Sequence, residues 1–120
     1  MEESLNILMV AAENDALVGA KVGGVGDVVR DVPYALVELP EYQGAVSVVC
    51  PSYGYLHKAA TASLGVVEFS FAGEQLTAEL FEVPGKRPGT GVRQLVLHQD
   101  AFETVDAASG RKLIYVDDAA

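Results

Sequence analysis

The chain has 120 residues, half of them hydrophobic, and seventeen acids against eight basic residues give a formal net charge of −9. That length suits one domain with one modest core, and no stretch reaches the ~18 consecutive apolar residues of a membrane span. Phosphate backbones demand clustered Lys and Arg, so scattered basic residues in an acidic chain argue against nucleic acid, while a neutral polymer or a small anion held at one local site fits. The start, Met1-Glu2-Glu3, lacks the basic residues of a secretory signal, and a cytoplasmic location is expected.

Leu5 to Ala12 (LNILMVAA) is nearly all apolar, the pattern of a parallel strand buried on both faces. A polar, Gly-rich stretch follows, Glu13 to Gly26. Val25, Val28, Val29, Val32, Leu36 and Leu39 then recur at helical spacing and predict one apolar stripe. Pro33 falls inside this pattern and should bend the helix or mark its restart. Ala45 to Cys50 (AVSVVC) is a second short buried strand, stopped by Pro51. Strand, Gly-rich loop, helix and strand form a βαβ unit with an expected right-handed crossover. Cys50 is the single cysteine and reads as a small buried hydrophobe.

The second half alternates differently. Val67, Phe69 and Phe71 interleave with Glu68 and Ser70, Ala72-Gly73-Glu74 is a turn, and Gln75 to Val83 is extended again, which predicts an antiparallel hairpin. Pro84 to Gly91 is a loop, Arg93 to His98 a strand, and Leu113 to Val116 a last apolar run after a Ser109-Gly110 turn. The expected fold class is α/β, a Rossmann-like, mainly parallel sheet carrying an antiparallel hairpin.

The most informative segment is Lys21-Val22-Gly23-Gly24-Val25-Gly26-Asp27. In open α/β sheets ligands bind outside the carboxyl ends of the strands. Glycines admit close backbone approach, and a helix N-terminus favours an anion. With Lys21 before the glycines, the loop suits a phosphate or diphosphate. It matches neither the P-loop nor the dinucleotide fingerprint, since the lysine precedes the glycines and their spacing differs. Taken alone, such a loop is equally a structural tight turn.

The run KVGGVGDVV, after an LNILMVAAE strand and before a helix containing VPYAL, resembles the signature of bacterial glycogen/starch synthases, retaining glycosyltransferases of family 5 with the two-domain GT-B architecture. VSVVCPSYGYL is similar to that family's second strand and its Pro-x-Tyr turn. The likeness is firm over residues 5–56 and loose from 63 to 120. It implies transfer of glucose from ADP-glucose, or UDP-glucose, to the non-reducing end of an α-1,4-glucan. The donor would lie between two Rossmann-like domains, the second holding most of the nucleotide and the cations that stabilise the leaving diphosphate. Residues 1–120 would then be an incomplete N-terminal domain without its nucleotide-binding partner domain, inactive alone. By position, the resemblance implies that Lys21 meets the diphosphate and that Gly23 and Gly24 pass close to the phosphate and the transferring glucose. Asp27 and Glu13 would line the sugar or acceptor side. The sequence departs from the family in a longer Asn14–Ala20 stretch without the usual proline, in Val25, and in Arg30 where a small residue is common.

Each residue has a plainer role as well. Lys21 can be a solvated loop lysine, and Asp27 can complement the helix dipole. Tyr53 and Tyr55 read as packing residues with a wet hydroxyl. His57 and His98 stand isolated and read as structural. No His, Cys or carboxylate spacing suggests a metal, and no cofactor is expected. Two other classes fit the same residues: a non-catalytic Rossmann-like module binding a nucleotide or sugar phosphate, and a structural fragment pairing through an exposed sheet edge.

Overall fold

The computed structural model describes residues 5–115. A five-stranded sheet runs in the order β1-β2-β5-β4-β3, formed by β1 (Ile7–Val10), β2 (Val46–Pro51), β3 (Ala62–Phe71), β4 (Glu74–Glu82) and β5 (Val92–His98). β1, β2 and β5 are parallel; β4 is antiparallel to β5, and β3 to β4. One helix, α1 (Gly24–Glu38), joins β1 to β2, and a small antiparallel pair, β6 (Thr104–Val105) and β7 (Lys112–Leu113), follows β5. The expected α/β class, parallel β1-α1-β2 unit and β3–β4 hairpin are therefore present. Of the final apolar run, Val116 lies outside the described residues.

Two expectations about burial do not hold. β1 is only four residues long and pairs on one side, with β2. Ile7 and Met9 are half-buried, whereas Leu8 is 60% exposed and Val10 73%. α1 contacts β2 and β5, and among the described residues no layer covers the face of β1 that carries Leu8 and Val10. The helix stripe is also displaced. Val25, Val28, Val32 and Leu39 are exposed, and the buried positions are Gly26, Val29, Pro33 and Tyr34. Spacings of three and four recur on several faces of a Val-rich helix, so periodicity alone could not choose the inward one.

Pro33 does not break α1, which is continuous from Gly24 to Glu38. Its ring is fully buried, and packing outweighs the missing donor. The helix stops at Leu39, where Pro40 disfavours a further turn. Gly23 is the N-cap, and Asp27 lies in the first turn, where the dipole favours a carboxylate.

The core joins one face of the sheet to the loops at its rim. Cys50, Val96 and Val83 pack with Leu17, Ala20, Tyr53 and Leu56, and Phe81 and Ile114 lean on them. Burial pushes the Cys50 thiol up to about 12, in keeping with an inert hydrophobe. At the other side of the sheet, β4 is held by β5 only over Glu79–Glu82. The distal hairpin turns through Ala72 and Gly73, both at positive φ (53° and 81°), the signature of a two-residue hairpin loop.

Candidate functional site

The carboxyl ends of β1 and β2 share one rim, so the loops that follow them meet. After β1 the chain takes residues 11–23 to reach α1. The long Asn14–Ala20 stretch is a compact turn anchored in the core. Asn14 is fully buried. Its amide donates to Gln94 Oε1 at 2.8 Å, its Oδ1 accepts from the Ala16 N–H at 2.9 Å, and its own N–H donates to the Ala20 carbonyl at 2.9 Å. Ala16, Leu17 and Ala20 are buried beside it. The Tyr turn after β2 clamps the same loop: Tyr53 OH donates to the Ala12 carbonyl and Tyr55 OH to the Gly19 carbonyl, each at 2.6 Å. These hydroxyls are bonded to protein rather than left to water.

Glu13 organises the glycine loop. Its side chain is 1% exposed. Oε1 accepts the N–H groups of Gly23 and Gly26 at 2.8 Å and of Val22 at 3.3 Å, and Oε2 accepts the Tyr115 hydroxyl at 2.6 Å. Burial pushes the carboxyl up, but the Tyr115 hydroxyl and the three loop N–H groups reverse this, and the net effect is a lowered pKa. Both oxygens are engaged inside the protein.

The three glycines of the motif differ in what requires them. A Cβ on Gly26 would lie 2.8 Å from Glu13 Oε1 and 3.2 Å from Lys21 Cγ. A Cβ on Gly23 or Gly24 would meet nothing within 4 Å, and neither residue has a positive φ. Gly26 is needed by the fold; Gly23 and Gly24 face open space. Gly24 and Val25 are the first two residues of α1, whose N–H groups have no carbonyl one turn back to reach.

Lys21 and Asp27 are brought together, with Nζ 3.0 Å from Oδ1. Asp27 raises the Lys21 pKa, first through that hydrogen bond and then through its charge. Arg30 continues the network: Nη1 is 3.4 Å from Asp27 and also pairs with Asp15, while Nε is 2.7 Å from Asp31. Lys86, from the loop before β5, reaches Asp15 at 2.8 Å. The longer loop and Arg30 are thus linked departures, since the loop supplies the Asp15 that Arg30 binds. The motif does not contain Asp15 or Lys86, so no local pattern could announce this network.

An open pocket of about 660 Å³ lies beside Lys21 and Val22, with Tyr55 and Ile114 in its wall. Among the described residues its charged lining is Lys21, Arg111 and Lys112, all cations, although acids outnumber bases two to one in the chain. Such a pocket attracts an anion. Among the described residues no cluster of three His, Cys, Asp or Glu could hold a metal, and no helix is long and apolar enough to cross a membrane.

His57 and His98 lie away from this pocket but not apart from each other. Their rings stack with centroids 4.0 Å apart, and Ser52 Oγ sits 2.6 Å from His57 Nδ1. The pair seals the junction of β5 with the turn after β2.

No curated protein sequence matches the chain. A family model does: the starch synthase catalytic domain matches residues 6–120, the Gly-rich loop, the Tyr turn and the β6–β7 hairpin included. The match covers nearly the whole sequence, and the chain belongs to the starch synthase catalytic domain family of glycosyltransferases.

Proposed function

We propose that the chain forms the front part of the N-terminal, Rossmann-like domain of a GT-B glycogen/starch synthase. This enzyme moves glucose from ADP-glucose, or UDP-glucose, to the non-reducing end of an α-1,4-glucan with retention, in the cytoplasm. The donor's diphosphate sits against Lys21 and the Gly23–Gly24 backbone, at the start of α1. Asp27 holds Lys21 in place and borders the sugar side. Glu13 acts from beneath the loop, holding it in shape rather than touching the sugar.

One observation carries this reading: Gly23 and Gly24 are glycines that no steric contact or positive φ among the described residues requires, next to a Gly26 that the fold does require. The open space over them leaves the backbone accessible to a ligand from outside. The cationic pocket beside them, in an acidic chain, supports an anionic ligand. The exposed apolar residues on β1 and α1, among them Leu8, Val10 and Val28, suit contact with further parts of a larger catalytic domain. Stabilising a leaving diphosphate takes several positioned cations, and the second domain supplies those that face the nucleotide. Alone, the chain binds but does not transfer.

The test separates binding from folding. Gly24→Ala should leave the urea midpoint of the chain unchanged or higher, because Ala is the better helix residue. The same change should abolish the ADP-glucose-induced shift of the Gly23 amide in a proton–nitrogen spectrum. A Gly24→Ala chain that still responds to ADP-glucose like the parent would sink the reading.

A further inference from the structure

The start of the KVGGVGD motif, Lys21 and Val22, lines the cationic pocket together with Arg111 to Ile114 of the β6–β7 segment, about ninety residues later in the chain. The hairpin is fixed against the loop. Leu113 is buried, Ile114 leans on the core cluster, and Lys112 is paired with Glu103. Glu13 ties both walls together, because one of its oxygens holds the glycine-loop N–H groups and the other holds the Tyr115 hydroxyl.

Among the three cations of the lining, Lys21 is compensated by Asp27 and Lys112 by Glu103. Arg111 is exposed, and among the described residues it makes no ion pair with a carboxylate. Its backbone is nevertheless held: its N–H donates to Ser109 Oγ at 3.2 Å, and its carbonyl accepts the Asp106 N–H at 2.8 Å. The Asp106 carboxyl is made more acidic first by the Ser109 hydroxyl and only last by the Arg111 charge.

We propose that Arg111 is a second anion-binding residue of this pocket, its guanidinium taking a pair of phosphate oxygens across the cavity from Lys21, with the Glu13–Tyr115 hydrogen bond setting the spacing of the two walls. The proposal rests on the reading of the pocket as a diphosphate site. A diphosphate carries more negative charge than one compensated lysine balances. The planar guanidinium fork matches two phosphate oxygens where an ammonium matches one. Arg111 thus determines specificity for a diphosphate over a single phosphate.

The 120-residue chain itself is the sample, and inorganic pyrophosphate and inorganic phosphate are the probes. Amide shifts of Gly23 and Gly24 report the motif wall, and the Arg111 Nε–H reports the hairpin wall. Arg111→Ala should weaken pyrophosphate binding about tenfold and reduce the preference for pyrophosphate over phosphate. Arg111→Lys should restore part of the affinity and little of the preference. An unchanged unliganded spectrum of Arg111→Ala outside residues 106–113 shows that the fold is kept. If Lys21→Ala weakens binding and Arg111→Ala does not, the hairpin is no part of the site and the proposal is wrong, while the diphosphate reading stands. If pyrophosphate shifts neither glycine in the parent chain at millimolar concentration, the reading and the proposal fall together.

Discussion

Glu13 Oε1 receives the Gly26 N–H at 2.8 Å, and the same oxygen occupies the space where a Gly26 Cβ would stand. A buried carboxylate and the third glycine of the motif therefore specify each other. Gly26→Ala should destabilise the chain by about 1–3 kcal/mol, the usual cost of overpacking, partly because Glu13 must withdraw from three loop N–H groups. Gly24→Ala, two residues away, should be neutral or stabilising by up to about 1 kcal/mol. Urea denaturation of the two variants gives the comparison, and equal losses would contradict the contact.

Removing the carboxylate itself should cost more. Glu13→Ala takes the acceptor away from three loop N–H groups and removes the bond from the Tyr115 hydroxyl, a loss of about 3 kcal/mol or more. Tyr115→Phe removes the bond from its hydroxyl to the Glu13 carboxylate, a loss of about 1.5–3 kcal/mol for a charged acceptor. A Glu13→Ala chain as stable as the parent would show that the carboxylate does not hold the loop.

The Glu13 contribution should depend on pH. In the folded chain the carboxyl lies below its ordinary 4.5, because the Tyr115 and loop hydrogen bonds outweigh burial. The unfolded chain therefore takes up the proton first. The stabilisation is complete above the ordinary value and is lost as the pH falls through the folded one. The gap in urea midpoint between the parent and Glu13→Gln should narrow from pH 7 toward pH 3.

His57 should act in a different window. Burial first, then the neighbouring His98 and Lys58 charges, lower its pKa from the ordinary 6.5, and Glu79 opposes them. Here too the unfolded chain protonates more readily. Stability from this group is full above 6.5, declines as the pH falls from there to the lowered folded value, and falls no further below it. His98→Gln should move the His57 titration upward in a proton spectrum, where only two imidazoles are present. A His57 that titrates at or above 6.5 in the parent chain would contradict the stacked, half-buried pair.

Ala72 holds a φ of 53°, a left-handed conformation that costs a non-glycine residue about 1–2 kcal/mol. Ala72→Gly relieves this, offset by the greater freedom of glycine in the unfolded chain. A net gain of about 0.5–1 kcal/mol is expected, read as a raised urea midpoint, and a loss would mean that the turn is not of this type.

Much of the architecture was legible along the chain. A strand, a Gly-rich loop, a helix and a strand announce themselves through runs, spacing and punctuation, because these patterns arise from local geometry. The β3–β4 hairpin was equally local, its turn set by Ala72-Gly73. The motif located Lys21, Gly23, Gly24 and Asp27 on one rim for the same reason. Which face of α1 points inward was decided only in three dimensions, since valines stand on several faces and burial depends on the sheet beneath. The openness of β1 was decided there as well: an apolar run records what a residue can bury, not what covers it. The partners of Glu13 lie nine to 102 residues away, and Arg111 lines the same pocket as Lys21 only because the fold brings the β6–β7 hairpin beside the first loop. Hydrogen bonds and charge pairing of that kind depend on distance in space, which the order of residues does not encode, and so the glycine motif and Glu13 could be found in the sequence while the hydrogen bonds by which Glu13 shapes the loop, and the place of Arg111 beside it, could not.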